Sequence, residues 1–200
     1  EKPKPGETQA HDINAGTYVL EPEAVEAIPL GRAVSIERET FPRLIEQTHK
    51  VYALSTDDYW IDVGRPESYV QAHVDIFSGK FARPLGSRIA ENVWAADGDV
   101  TGITLRGPAY IGPRVRIERG AVIGPYAAIY DGASVGAHAK VERSIVWPGC
   151  DIGPNATVSG AILGLNTAIT GGQQVVPGTI MANGRTGQTR RNFARLFDPR

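Results

Sequence analysis

Aliphatic residues recur at every sixth position through most of the second half of the chain. The spacing begins at Leu105, and two five-residue steps keep it in phase as far as Val175. A helix would need a spacing of about 3.6 residues, and an ordinary strand would end after a handful of residues. A hexad sustained over this length predicts a β-helix, in which short strands stack coil upon coil around the aliphatic side chains. The predicted inward positions are Leu105, Ile111, Ile117, Ile123, Ile129, Val135, Val141, Val146, Ile152, Val158, Leu163, Ile169 and Val175.

The first 80 residues have a different pattern, in which short apolar runs alternate with helix-like segments. Pro22 stands just inside the start of one predicted helix, and Ser35 is a candidate N-cap followed by Glu37 and Glu39 in the first turn. Strands alternating with helices predict an α/β layer. The predicted strands are 13–20, 51–55 and 59–63, and the predicted helices are 22–28, 35–47 and 66–77.

These patterns predict four consecutive parts of the chain. Thr189 is a candidate cap for a helix in the basic tail, with Phe193, Leu196 and Phe197 on one side. That side either docks onto the end of the β-helix or leaves the arginines of the tail to bind an anion. The parts are an α/β region at 1–80, a linker and entry at 81–100, a β-helix at 101–183 and a basic tail or helix at 184–200.

Composition narrows the choice of partners. The 200-residue chain has a formal net charge of −1, so no global field draws it to nucleic acid or to an anionic membrane. No apolar run reaches the roughly 18–20 residues of a membrane helix, and no signal peptide opens the chain. Cys150 is the one cysteine, which excludes an internal disulfide and suits a reducing compartment. We therefore expect a cytoplasmic protein that binds neither nucleic acid nor membrane.

Asp62 stands in the stretch YWIDVGRPESY, residues 59–69, within a strand that the pattern predicts to be buried. An ionised carboxylate taken out of water is costly unless it is paired or holds a metal. Three roles fit the sequence: an ion pair with Arg65, a cap for the helix that starts near Pro66, or a ligand to a metal ion. The residues alone leave all three open.

Four motifs in order give the first region a family resemblance. They are EKP at 1–3, NAG at 14–16, SIERETFP at 35–42 and YWIDVGRPESY at 59–69. Their order and spacing resemble the C-terminal half of the sugar-1-phosphate nucleotidyltransferases, a Rossmann-like domain. Followed by a hexapeptide β-helix, they look most like the mannose-1-phosphate guanylyltransferases. The resemblance implies an α/β half-domain followed by a left-handed parallel β-helix, although the general preference for right-handed crossovers would predict the opposite hand.

The resemblance also implies roles for individual residues. Lys2 would bind the phosphate of the sugar-1-phosphate, and it is one of two implied catalytic residues. Glu1 and Asn14 would hydrogen-bond sugar hydroxyls, with the Gly16 backbone close to the sugar. Asp62, the other catalytic residue, would hold Mg²⁺ together with a second aspartate from upstream.

The implied reaction joins a nucleoside triphosphate and a sugar-1-phosphate into a nucleotide sugar and pyrophosphate, with GDP-mannose favoured. The glycine-rich phosphate loop of the family is absent, since glycine-rich stretches here occur only at predicted β-helix corners and at Gly171-Gly172. We therefore expect the chain to hold the sugar-facing half of the site and to be inactive alone. The nucleotide-facing half would come from the same or a separate polypeptide.

Two other functions fit the β-helix. One is acyl transfer from acetyl-CoA to an amino-sugar phosphate, with His138 as general base. The other is a non-catalytic assembly or regulatory platform, since a solenoid has flat faces and open ends that invite a partner. We expect a homo-oligomer formed through the β-helix. A candidate contact surface consists of aromatic residues off the inward positions: Tyr110, Tyr126, Tyr130 and Trp147.

Overall fold

The computed structural model describes residues 12–48, 50–81, 85–97 and 100–181. Its contacts divide the chain into two units, Glu1–Trp60 and Ile61–Arg200. Glu1, Lys2 and the predicted tail at 184–200 lie outside the described residues. Within the described ranges, no helix is both long enough and apolar enough to span a bilayer.

Helices in the first unit fall where the sequence predicts them. α1 spans Pro22–Glu26, and a π-helical turn at Ile36–Thr40 leads directly into α2 at Phe41–Thr48. Ser35 is the N-cap, because its side-chain oxygen accepts a hydrogen bond of 3.2 Å from the Arg38 amide. The predicted cap and the helix after it are confirmed.

The strands predicted at 13–20, 51–55 and 59–63 were wrong, since none of these segments is a strand in the structure. A strand needs a neighbour to receive its backbone hydrogen bonds, and none of the described segments supplies one here. The side chains of Tyr52 and Leu54 are consequently 88% and 93% exposed. The strand propensity of these segments was not enough to form strands, because strand propensity takes effect only through packing against neighbouring strands.

The second unit begins with α3, Pro66–Phe77, which has the predicted bounds. Sixteen short strands follow within the part of the chain that the structure describes. They are β1 (Ser87–Ala90), β2 (Val93–Ala95), β3 (Thr104–Leu105), β4 (Ala109–Ile111), β5 (Arg116–Ile117), β6 (Val122–Ile123), β7 (Ala127–Ile129), β8 (Ser134–Val135), β9 (Lys140–Glu142), β10 (Ser144–Val146), β11 (Asp151–Ile152), β12 (Thr157–Ser159), β13 (Ile162–Leu163), β14 (Ala168–Ile169), β15 (Gln174–Val175) and β16 (Ile180–Met181).

The strands form three sheets whose neighbours come from successive coils. The orders are β1-β2-β4-β7-β10-β13-β16, β14-β11-β8-β5 and β15-β12-β9-β6-β3. Pairing is parallel everywhere in the described sheets except between β1 and β2, which form an antiparallel hairpin at the entry. Each complete coil thus contributes one strand to each sheet, which is the arrangement of a parallel β-solenoid. The predicted parallel β-helix is confirmed, and its left hand stays a prediction.

The hexad residues form the core of the solenoid. Nearly every predicted inward position is buried, and Leu105 and Ile117 are partly buried against the same cluster. Small residues fill the positions beside the corners, where Ala121, Ala133 and Ala139 are completely buried. Burial of each large aliphatic side chain contributes about 1.5–3 kcal/mol, so the stack is held mainly by this row.

α3 packs on the outward face of the seven-stranded sheet. Val70 is completely buried and packs against Ile145 and Ile162 of that sheet. Near the C-terminal end of the helix, Phe77 stacks on Trp94 with ring centroids 6.4 Å apart. A helix of the same chain therefore covers part of the face that carries the predicted aromatic contact surface.

Candidate functional site

Two predicted site residues, Asn14 and Gly16, lie in the described part of the first unit. The Asn14 side-chain oxygen accepts a hydrogen bond of 2.9 Å from the Gly16 amide, which closes a tight turn. Gly16 has a φ of +72°, and a side chain built there would meet nothing within 4 Å. The backbone at Gly16 is therefore open to close approach by a ligand, and glycine suits this conformation.

Tyr18 and Glu37 join Asn14 in a hydrogen-bonded network. Asn14 Nδ2 donates to the Tyr18 hydroxyl at 2.8 Å and to Glu37 Oε1 at 2.9 Å. The Tyr18 hydroxyl in turn donates to Glu37 Oε1 at 2.9 Å. Desolvation and the Glu37 carboxylate raise the pKa of Tyr18, so the hydroxyl keeps its proton at neutral pH. The network groups an amide, a phenol and a carboxylate around the open Gly16 backbone.

The π-helical turn holds Glu37 in place. Arg32 donates a hydrogen bond of 2.7 Å to Glu39 in the same turn, and that bond lowers the pKa of the Glu39 carboxyl. The ring of Tyr18 meets Phe41 edge to face, with ring centroids 4.9 Å apart. Sequence reasoning missed Tyr18 and Glu37 as site residues, although both stand in or beside the NAG and SIERETFP motifs.

Asp62, in the second unit, differs from its prediction. It is exposed and lies outside any strand, so the expected buried carboxylate was wrong. Its Oδ1 accepts a hydrogen bond of 3.0 Å from the Gly64 amide. The N-cap of α3 is Arg65, with no side-chain cap, so Asp62 does not cap the helix. In the described part of the chain Asp62 and Arg65 form no ion pair.

The free oxygen of Asp62 decides whether the residue suits a metal. Oδ2 accepts no hydrogen bond from any described residue, and Asp62 as a whole is exposed. Mg²⁺ is usually held by one or two carboxylates plus substrate phosphates, and one exposed carboxylate oxygen fits that pattern. Among the described residues there is no cluster of three His, Cys, Asp or Glu side chains for a metal. Asp62 therefore fits as one ligand of a site completed by other groups.

His138, the predicted acyl-transfer base, lies at a corner of the β-helix. It is exposed, has a φ of +59°, and its amide donates to the Arg119 carbonyl at 3.3 Å. Its ring lies over Gly120 of the preceding coil, where a side chain would collide with it. No described residue hydrogen-bonds the ring, so nothing here orients it as a base.

Both regions match known protein families. Residues 1–79 match the family described as nucleotidyl transferase, and residues 105–188 match the family described as GMPPB C-terminal domain. The first match covers the motifs around Asn14 and Asp62, and the second covers the solenoid. Together the two matches fit a sugar-1-phosphate nucleotidyltransferase region followed by a C-terminal β-helix. The α/β nature of the first region agrees with this match.

Curated relatives carry related names. A mannose-1-phosphate guanyltransferase of Pichia angusta is 38% identical over 169 residues, which is 83% of this chain and 43% of the relative. A UTP–glucose-1-phosphate uridylyltransferase of Synechocystis is 31% identical over 165 residues, 78% of this chain and 42% of the relative. A mannose-1-phosphate guanylyltransferase of Mycobacterium tuberculosis is 37% identical over 55% of this chain and 33% of its own length. The chain thus spans less than half the length of these relatives.

Proposed function

We propose that this nucleotidyltransferase chain forms the sugar-side part of an enzyme that makes a nucleotide sugar and pyrophosphate from a nucleoside triphosphate and a sugar-1-phosphate. The Asn14–Tyr18–Glu37 network beside the open Gly16 backbone is the observation that carries the proposal. Sugars present several hydroxyls that both donate and accept hydrogen bonds. A carboxylate, an amide and a phenol held together offer both kinds of partner.

The network fits recognition of a sugar ring more closely than a structural role. Glu37 accepts two hydrogen bonds through Oε1 and retains Oε2 for a hydroxyl donor. Asn14 and Gly16 are exposed, so their polar groups stay accessible. A hydrogen bond to a charged carboxylate contributes about 1.5–3 kcal/mol, which makes Glu37 the strongest single anchor. Glu1 would add a second sugar contact.

The reaction is an in-line displacement at phosphorus. An oxygen of the sugar phosphate attacks the α-phosphate, a P–O bond forms, and the bond to pyrophosphate breaks with its electrons on the leaving oxygen. Lys2 would hold the attacking phosphate and neutralise part of its charge. Asp62 would hold Mg²⁺ with a second carboxylate from outside the described residues, and the ion would supply further charge neutralisation. No covalent intermediate with the protein is required.

GTP and mannose-1-phosphate are the proposed substrates. The relatives from Pichia angusta and Mycobacterium tuberculosis are named for mannose-1-phosphate and guanylyl transfer. The Synechocystis relative is named for UTP and glucose-1-phosphate, so this pair is the alternative. The lone cysteine and the use of a nucleoside triphosphate favour the cytoplasm.

Exposed apolar side chains in the first unit support a further polypeptide partner there. Val19, Tyr52 and Leu54 are almost fully exposed on segments with strand-like sequences, and Leu30 is equally exposed just after α1. Apolar exposure of this kind marks an interaction surface. We propose that the nucleotide-binding half, in the same or a separate chain, supplies the strands that cover these residues.

Pyrophosphate release tests the function directly. The panel pairs GTP, ATP, UTP and dTTP with mannose- and glucose-1-phosphate. It is run on the 200-residue chain and on protein extended upstream to the length of the relatives. We expect the extended protein to prefer GTP with mannose-1-phosphate. We expect the short chain to release no pyrophosphate. If the extended protein released no pyrophosphate with any substrate pair, the proposal would be wrong. Turnover by the short chain would show that no second half is required.

Light scattering measures the oligomeric state of the protein. The monomer mass is 21.5 kDa, and we propose a homo-oligomer formed through the β-helix. A measured mass near the monomer value over the micromolar range would contradict this.

A further inference from the structure

A chain of hydrogen bonds links the β-helix to the loop that carries Asp62. The indole Nε1 of Trp147, just after β10, donates to the Tyr69 hydroxyl at 3.0 Å. The Tyr69 amide donates to the Arg65 carbonyl at 3.0 Å, which fixes the first turn of α3 to the end of the loop. The Gly64 amide then donates to Asp62 Oδ1 at 3.0 Å. Three consecutive bonds therefore run from a solenoid side chain to the predicted metal ligand.

The loop has little other support within the second unit. Residues Val63 to Pro66 and Tyr69 face Trp147, Ile162 and Ile180 across an open groove of about 340 Å³. Val63, Gly64 and Arg65 are all exposed. Because this side of the loop borders open space rather than packed side chains, its position depends on the start of α3.

α3 itself is pinned at several points along the sheet. Tyr69 meets Trp147 edge to face, with ring centroids 6.2 Å apart, and Val70 is buried beneath them against the sheet. One turn later, His73 Nε2 lies 2.8 Å from the Tyr130 hydroxyl. Of these three contacts, the one through Tyr69 is the one in the first turn, beside the loop. The first turn is thus the point where the solenoid acts on the loop.

We propose that Trp147 is a positioning residue for Asp62, and that the β-helix orders the Asp62 loop through the Trp147–Tyr69 hydrogen bond. The inference rests on the proposed function only for the role of Asp62 as a metal ligand. The coupling runs through contiguous hydrogen-bonded and covalently linked groups, which is one physical route by which one region can bias another. The solenoid would then act on the catalytic part of the protein as well as on assembly.

Trp147→Phe tests the proposal, because it keeps an aromatic ring and removes the indole donor. Trp94→Phe is the matched control, since Trp94 meets the far end of α3 through its ring face and makes no side-chain hydrogen bond with described residues. ¹⁵N relaxation on the 200-residue chain reports the order of the Asp62, Val63 and Gly64 amides. We expect order parameters of about 0.85 in the wild type and Trp94→Phe, and below about 0.6 in Trp147→Phe.

Tyr69→Phe removes the acceptor of the same bond from the other side. It should loosen the same amides, and the double variant should add nothing further, as expected for two residues of one interaction. A rigid loop in Trp147→Phe, or equal loosening in Trp94→Phe, would overturn the proposal. Unchanged protection of the solenoid amides separates loosening of the loop from general unfolding.

Titration with Mn²⁺ alone links the loop to the metal. Mn²⁺ takes the same oxygen ligands as Mg²⁺ and broadens nearby amide signals. The concentration that broadens the Gly64 signal should rise about three- to tenfold in Trp147→Phe, the effect of losing one hydrogen bond. The titration is run on the protein extended upstream, which would carry the second carboxylate. If its wild type shows no broadening, the metal assignment of Asp62 fails, while the order parameters still decide whether Trp147 orders the loop.

Discussion

His73 Nε2 lies 2.8 Å from the hydroxyl oxygen of Tyr130, a residue 57 positions later in the chain. The other ring nitrogen, Nδ1, lies 2.8 Å from the Tyr69 carbonyl, which can only accept a hydrogen bond. Nδ1 therefore carries the proton, and Nε2 accepts from the tyrosine. This geometry suits a neutral histidine between α3 and the seven-stranded sheet, with Nδ1 as donor and Nε2 as acceptor.

The first prediction concerns pH. Burial lowers the pKa of His73 below its ordinary value of 6.5. Between the lowered value and 6.5 the unfolded chain binds more protons than the folded chain, so acid favours unfolding. The contribution of His73 to stability is complete above about pH 6.5 and is lost as the pH falls through the folded pKa. Urea denaturation at several pH values from about 5 to 8 measures it.

His138→Gln and His73→Gln separate this effect from other titrations. His138→Gln is the matched control, because it replaces an exposed histidine whose ring no described residue hydrogen-bonds. His73→Gln should flatten the curve between about pH 5 and 7, whatever its effect on total stability. Parallel curves for the wild type and His73→Gln would rule out the histidine as the source.

The second prediction concerns close stacking of the coils. Gly124 has a φ of +89°, and a Cβ there would lie 1.8 Å from the Arg106 carbonyl oxygen. Gly132 has a similar φ of +65° but open space around the Cβ position. Gly132→Ala should cost only the left-handed strain of about 1–2 kcal/mol. Gly124→Ala adds a backbone collision and should cost clearly more, or prevent folding. Thermal unfolding compares the two variants, and equal costs would contradict the collision.

The third prediction concerns the hexad row. Ile129 is completely buried at the centre of the solenoid, whereas Leu165 is 43% exposed near its end. Ile129→Ala should reduce the free energy of unfolding by about 2–5 kcal/mol because it leaves a cavity. Leu165→Ala should cost less, since part of its surface already meets water. Denaturant titration gives both values, and similar losses would show that the row does not carry the stability.

The fourth prediction concerns the sugar side of the proposed site. Glu37→Gln keeps the size of the side chain and removes its charge, so hydrogen bonds from the sugar should weaken. We expect the KM for the sugar-1-phosphate to rise about tenfold, with the KM for the nucleotide unchanged. Steady-state kinetics on the length-extended protein measure both. Glu46→Gln on α2 is the control, and an unchanged sugar KM in Glu37→Gln would remove Glu37 from the site.

Sequence predicted the solenoid well because its signal is local and repeated. Each residue of the repeat is recognised from its spacing alone, and every predicted inward residue between Ile123 and Val175 is buried. The α3 bounds were equally local, set by Pro66 at the start and Ser78-Gly79 after the end. The predicted strands failed because a strand depends on a neighbouring strand, which need not be close in sequence.

The docking of α3 was also beyond the sequence analysis, although a signal existed. The outward positions of the seven-stranded sheet form an apolar row, which is unusual for a face expected to meet water. Such a row predicts a covering element, and α3 covers it. The sequence pattern does not indicate which element covers the row, because contacting residues such as Tyr69 and Trp147 are 78 positions apart in the chain. The row is Trp94, Tyr110, Ala128, Ile145, Ile162 and Ile180.

Each strand pairs with a strand in the coil before it and one in the coil after it, so the solenoid has a fixed repeat along its axis. Adding a complete coil would extend the stack by about 4.8 Å and return every later side chain to its former side. Inserting a single residue within a strand would instead turn the rest of that strand inside out. Changes in the length of this part of the protein, in nature or by engineering, should therefore come in whole coils.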